Sequence, residues 1–126
     1  MGAGRNVALN ELNFRGIVTV TADTTVVASD SGVLMVAGGT ANLTFTLPAV
    51  ADCKGKMFMF VNLVNYNMTI AGATSVIVAL HNAAAASVAF STTSEKIGGA
   101  FLIIGDGTYY YAFNFSAGAN MVTVAS

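Results

Sequence analysis

Tryptophan is absent from this chain of 126 residues, and cysteine, histidine and proline occur once each. Those absences remove most catalytic chemistry. With Cys53 alone there is no intrachain disulfide, and with His81 as the other soft ligand no zinc site of four His or Cys residues can form. A Ser-His-Asp triad would have to recruit His81, and no Gly-x-Ser-x-Gly elbow presents a serine to it. Cys53 sits between Asp52 and Lys54 with no base nearby, which reads as a turn-flanking residue rather than a reactive thiol. Among the six acids, Asp30 precedes Ser-Gly and Asp106 precedes Gly, positions where turns favour aspartate for its local hydrogen bonds, and Asp23 is similarly placed after Val-Thr-Val-Thr-Ala. The Gly105-Asp106-Gly107 stretch reads as a turn and not a phosphate loop, because no helix follows it. The expectation is a protein that is not an enzyme, with no cofactor and no metal.

Charge is scarce as well. Charged residues make up 9% of the chain, where about 25% is usual. Five basic residues scattered along a chain of net charge −1 leave no electrostatic footprint for nucleic acid. Long apolar runs are also missing: Met-Phe-Met-Phe-Val and Ala-Phe-Leu-Ile-Ile fall far short of the ~18 residues of a spanning helix. A membrane barrel would alternate apolar with polar, and the strongest strands here are apolar on both sides. The first residues lack the apolar core of a signal peptide, and Asn6 stands where myristoylation wants Ser or Thr. A soluble protein made in the cytoplasm, without a membrane, is expected, so the Asn-x-Ser/Thr sequences at Asn42, Asn67 and Asn114 read as fortuitous.

What remains is β structure from end to end, with Val, Thr, Ile, Phe and Tyr punctuated by Gly, Asn and Asp. Leu43-Thr-Phe-Thr-Leu47 is the clearest period-two stretch: Leu43, Phe45 and Leu47 share a face, and Pro48 ends it. Residues 26–39 suggest two short strands around an Asp30-Ser31-Gly32 turn, and His81–Ser87 reads as a weak candidate for a helical turn. Ala100–Phe115 carries the strongest hairpin signal, with Asp106-Gly107 suited to a tight primed turn and Gly105 able to widen it. About eight to ten short strands are expected, in an all-β antiparallel sandwich or jelly-roll-like barrel over residues 15–126, preceded by an extended N-terminal arm over residues 1–14.

Two strands look apolar on both faces. In Lys56–Tyr66, Met57, Met59, Val61 and Leu63 line one face while Phe58, Phe60 and Val64 line the other. In the hairpin, Tyr109, Tyr111, Phe113 and Phe115 share a face, and Phe101 to Ile104 fill both faces of the partner strand. With 55% hydrophobic residues in so short a chain, a neighbouring subunit is the expected cover, with Phe58, Phe60, Tyr109, Tyr111 and Phe113 as interface candidates.

The order Thr21-Ala22-Asp23, Asp30-Ser31-Gly32, Thr46-Leu47-Pro48, Gly55 with Phe58 and Phe60, then Asp106-Gly107-Thr108 resembles a repeat of tailed-phage virion proteins, the capsid decoration (cement) and head-fibre type. The likeness spans roughly residues 17 to 113 of the chain, and departs from the pattern in having Tyr110 where such proteins often carry Trp. It implies a structural role, often trimeric, in a decoration protein or a head-fibre or tail-fibre module, with head and tail both open. The expectation taken from it is a homotrimer that binds the major capsid protein on the capsid exterior and stabilises the shell. Under that reading Arg5, Val7, Leu9, Leu12, Phe14 and Arg15 of the arm are the expected capsid contacts. The alternative is a fibre or receptor-binding module for host glycan, using Tyr109, Tyr110 and Asp106.

Overall fold

A computed structural model describes residues 14–72, 74–115 and 122–125. Residues 1–13, which hold most of the expected arm, lie outside them. The described residues form twelve strands: β1 (Gly16–Val20), β2 (Thr24–Thr25), β3 (Val33–Ala37), β4 (Leu43–Thr46), β5 (Met57–Asn62), β6 (Met68–Ala71), β7 (Ile77–Ala79), β8 (Asn82–Ala85), β9 (Ser87–Phe90), β10 (Ala100–Gly105), β11 (Tyr110–Asn114) and β12 (Thr123–Ala125). They build two packed sheets, one of seven strands in the order β1-β3-β5-β10-β11-β7-β8 and one of five in the order β12-β9-β6-β4-β2. The fold is an all-β sandwich.

The sheets are mixed, which corrects the antiparallel expectation. Five strand pairs are parallel, β1–β3, β3–β5, β2–β4, β4–β6 and β11–β7, and five are antiparallel. The cause lies in the path of the chain. From β1 to β6 every connection crosses to the opposite sheet, so β1, β3 and β5 stack in one direction and β2, β4 and β6 do the same beneath them. The first half is thus a flattened coil of three turns. Its corners are tied by side chains: the Asn42 carbonyl oxygen accepts the Asn67 amide at 2.9 Å, and Asp23 accepts the Thr44 amide at 2.9 Å. These are backbone donors at turn entries, where a short polar side chain substitutes for a missing ladder partner.

Local details differ from the sequence reading where tertiary pairing overrides it. Ala28–Asp30 is a 3₁₀ turn rather than a strand, closed by the Asp30 carboxylate accepting the Val27 amide. The alanines after His81 pair with β7 as β8 and do not form a helical turn. The hairpin stands, but Gly105 pairs with Tyr110, so the loop runs over Asp106, Gly107, Thr108 and Tyr109, with positive φ at Gly107 (92°).

The core fills from alternate positions of facing strands. Leu43, Phe45 and Leu47 point inward as expected, beside Met68, Ile70, Val88 and Phe90 of the same sheet. From the other sheet come Met35, Phe58, Phe60, Phe101, Ile103, Ile77 and Tyr110. Tyr110 is the largest fully buried side chain, and its hydroxyl donates to the Pro48 carbonyl at 2.7 Å, so its one polar atom is satisfied. Burial pushes the Tyr110 phenol far above its ordinary range.

Candidate functional site

None of the twelve strands contains Asp, Glu, Lys or Arg; every charged residue of the chain lies in a loop, a turn or the N-terminal stretch. The two outer faces of the sandwich therefore owe their character to neutral side chains alone, and they differ sharply.

On the five-stranded sheet the outward positions are Thr25, Thr44, Thr46, Thr69, Ala71, Ser87, Ala89, Thr123 and Ala125, as the register sets them. The hydroxyls hydrogen-bond water and the alanine methyls offer little apolar area, Ala89 being already buried, so this face presents no large apolar side chain. The seven-stranded sheet is the opposite. Its register aligns Ile17, Leu34, Met59, Leu102 and Phe113 in one unbroken row across β1, β3, β5, β10 and β11, with the two ends exposed and the three middle residues half-buried. A second row runs Met57, Ile104, Tyr111, Val78. A third runs Thr19, Val36, Val61 and Ala100, and the Phe115 amide bonds to the Ala100 carbonyl at its end. Ile17 is 67% exposed, Phe113 49% and Phe115 59%. This is a broad apolar surface, without a charge, on the outside of one subunit.

The sequence candidates separate cleanly on this geometry. Tyr109, Tyr111 and Phe113 are exposed on the large sheet and its hairpin loop. Phe58 and Phe60 are not available to a neighbour, because both are fully buried between the sheets; the Phe60 ring packs at a tilt, 4.8 Å from that of Phe45 in the facing sheet. Parity alone could not decide which face of an all-apolar strand turns inward. The missed surface residues are Ile17, Leu34, Met59 and Leu102; each has the parity opposite to a buried aromatic or methionine on its own strand or its neighbour, which can be read only once the inward face is known.

At the hairpin, Asp106 is already spent. One carboxylate oxygen accepts the Thr108 and Tyr109 amides at 2.8 and 2.6 Å, and the other accepts the Tyr111 hydroxyl at 2.6 Å. The Tyr111 hydroxyl, then the Tyr109 and Thr108 amides, hold the Asp106 carboxyl below its ordinary range, and the same bond raises the Tyr111 phenol. Of the three residues considered for glycan binding, Tyr110 lies in the core, the Asp106 carboxylate is held within its own loop, and the Tyr109 ring is exposed. Arg15 is likewise engaged. Its Nε donates to the Ser31 carbonyl at 2.8 Å, its guanidinium also reaches the Ser29 carbonyl, and its stem lies over Gly32. Phe14 is exposed beside it, while Arg5, Val7, Leu9 and Leu12 lie outside the described residues. Cys53 is buried with its thiol free of any disulfide, and no cluster of three His, Cys, Asp or Glu occurs among the described residues. No family model, curated protein or solved structure matches this chain.

Proposed function

We propose that this protein is a structural virion component, a homotrimer that decorates the outside of a phage capsid. The observation that carries the self-association is the uncharged row Ile17–Leu34–Met59–Leu102–Phe113 across five strands of the large sheet. Three such faces turned toward a common axis close a triangular apolar interior, in which each subunit meets two neighbours. The Thr, Ser and Ala face of the small sheet then points outward to water. Burying an exposed aliphatic or aromatic side chain contributes ~1.5–3 kcal/mol, while association costs ~4–15 kcal/mol in lost freedom, so the assembly draws on all three rows together. The capsid as partner rests on the ordered Thr-Ala-Asp, Asp-Ser-Gly, Thr-Leu-Pro and Asp-Gly-Thr motifs and their resemblance to decoration proteins.

Two experiments test the two halves separately. Leu102→Lys places a charge inside the row, between Met59 and Phe113, without entering the core, and is expected to leave a folded monomer. Antibody labelling of virions from the phage that encodes the chain should decorate heads. Labelling confined to tails, or absent from virions, would overturn the capsid assignment.

A further inference from the structure

The sandwich is closed at one side, where β8 and β12 approach each other, and open at the other. At the open side β1 ends the seven-stranded sheet, and nothing pairs with its far edge among the described residues. Edge strands are normally guarded by charge, proline, a bulge or a covering segment. Gly16-Ile-Val-Thr-Val20 has no charge and no proline, and its register with β3 is unbroken. Val18 is the telling residue. It shares the inward parity of Val20, yet it is 49% exposed, because the gap between the sheets beneath it is unfilled. That gap has a volume of about 200 Å³ and is lined by Val18, Val20, Val33, Met35, Thr24 and Asp30. A dry space of ~150 Å³ already accommodates a benzene ring, so there is room here for aliphatic side chains. Beside Gly16, at the same edge, an added side chain would meet no atom within 4 Å.

We propose that residues 5–9 of the same chain fill this opening as a thirteenth strand, antiparallel to β1. Three features select this occupant. Thirteen residues precede Phe14 in the sequence, and they enter directly at the start of β1, so a hairpin through residues 10–15, with turn-favouring Asn10 and Asn13, returns the chain along the free edge. Val7 and Leu9 have the period of a strand facing an apolar gap, with Asn6, Ala8 and Asn10 on the other side. The pairing that turns them inward sets Val7 opposite Val18 and Leu9 opposite Gly16, covering the half-exposed valine and using the space beside the glycine. Charge agrees: residues 1–10 carry Arg5 and no acid, and among the described residues lining the gap the charged one is Asp30. In this arrangement Val7 and Leu9 complete the subunit's own fold, so the inference stands whether or not the protein binds a capsid.

The test is a disulfide trap in the full chain, with buried Cys53 left in place. Val7→Cys combined with Val18→Cys should oxidise to an intrachain bond, seen as a faster band on a non-reducing gel and as a linked peptide by mass spectrometry. Ala8→Cys with Val18→Cys, one residue out of register, should stay reduced at the same oxidant concentration. Amides of residues 6–9 in the unaltered chain should exchange at least tenfold more slowly than in a free peptide of that sequence. A bond that forms only between two chains would place another copy's segment on β1, and overturns the proposal. Failure to form any bond, together with free-peptide exchange rates, overturns it equally.

Discussion

The rings of Phe45 and Phe60 lie 4.8 Å apart and tilted by 49°, one from each sheet, and join the two layers at the centre of the core. Both are fully buried. Truncating either leaves a cavity between the sheets that neither backbone can collapse to fill. Phe60→Ala is therefore expected to cost about 3–5 kcal/mol in denaturant unfolding. A loss below 1 kcal/mol would show that the sheets are held elsewhere.

The hairpin loop gives a graded pair of glycine substitutions. Gly107 has a φ of 92°, which a β-branched residue adopts only under strain, so Gly107→Val should cost about 1–3 kcal/mol. Gly105 has ordinary φ but sits where an added Cβ would collide with the Cys53 carbonyl, a backbone group that cannot step aside. Gly105→Ala is expected to cost more than Gly107→Val, despite being the smaller change. Thermal melts of the two variants decide the order.

Leu80 and His81 turn β7 into β8 with φ of 41° and 74°, where Asn-Gly is the usual pair. Leu80 is also 55% exposed, so it contributes little packing in return. Leu80→Asn with His81→Gly should relieve left-handed strain and raise stability by about 1 kcal/mol. A lower melting temperature would mean that Leu80 is held by contacts a single subunit lacks.

Acid titration reads the Asp106–Tyr111 bond. The carboxyl is held below its ordinary value first by the Tyr111 hydroxyl, then by two backbone amides. Its folded value lies below the unfolded one, so its stabilisation is complete above about pH 4 and fades as pH falls through the lowered value. Tyr111→Phe removes the leading cause. The Asp106 midpoint, followed by carboxyl NMR shifts, should move up toward the ordinary aspartate range, and acid unfolding should begin at higher pH. An unmoved midpoint would assign the shift to the amides alone.

Much of this architecture was legible in the sequence because alternation and turn chemistry are local. Leu43, Phe45 and Leu47 announced their inward face, and Asp106-Gly107 announced the hairpin. The parallel coil was not visible as such, since no local rule says which sheet the next strand joins. Its trace is nonetheless there: Asn42-Leu-Thr-Phe and Asn67-Met-Thr-Ile stack in register, Leu43 on Met68, as successive turns of one coil. What looked like two glycosylation sequons is this repeat, in which each Asn opens a strand and each Thr faces out. The apolar surface was legible as an excess but not as an address. Choosing Met59 over Phe60 required knowing that Phe60 meets Phe45 across the core, and that contact spans two sheets.

The central claim is that the outer face of the seven-stranded sheet is an interface, and mass in solution tests it most directly. Sedimentation equilibrium of the full chain at micromolar concentration should give three times the 12.8 kDa of one subunit. Under the same conditions Leu102→Lys should give a single folded subunit with an unchanged far-UV spectrum. A monomer for the unaltered chain would contradict the claim and leave the row from Ile17 to Phe113 without the partner its composition demands.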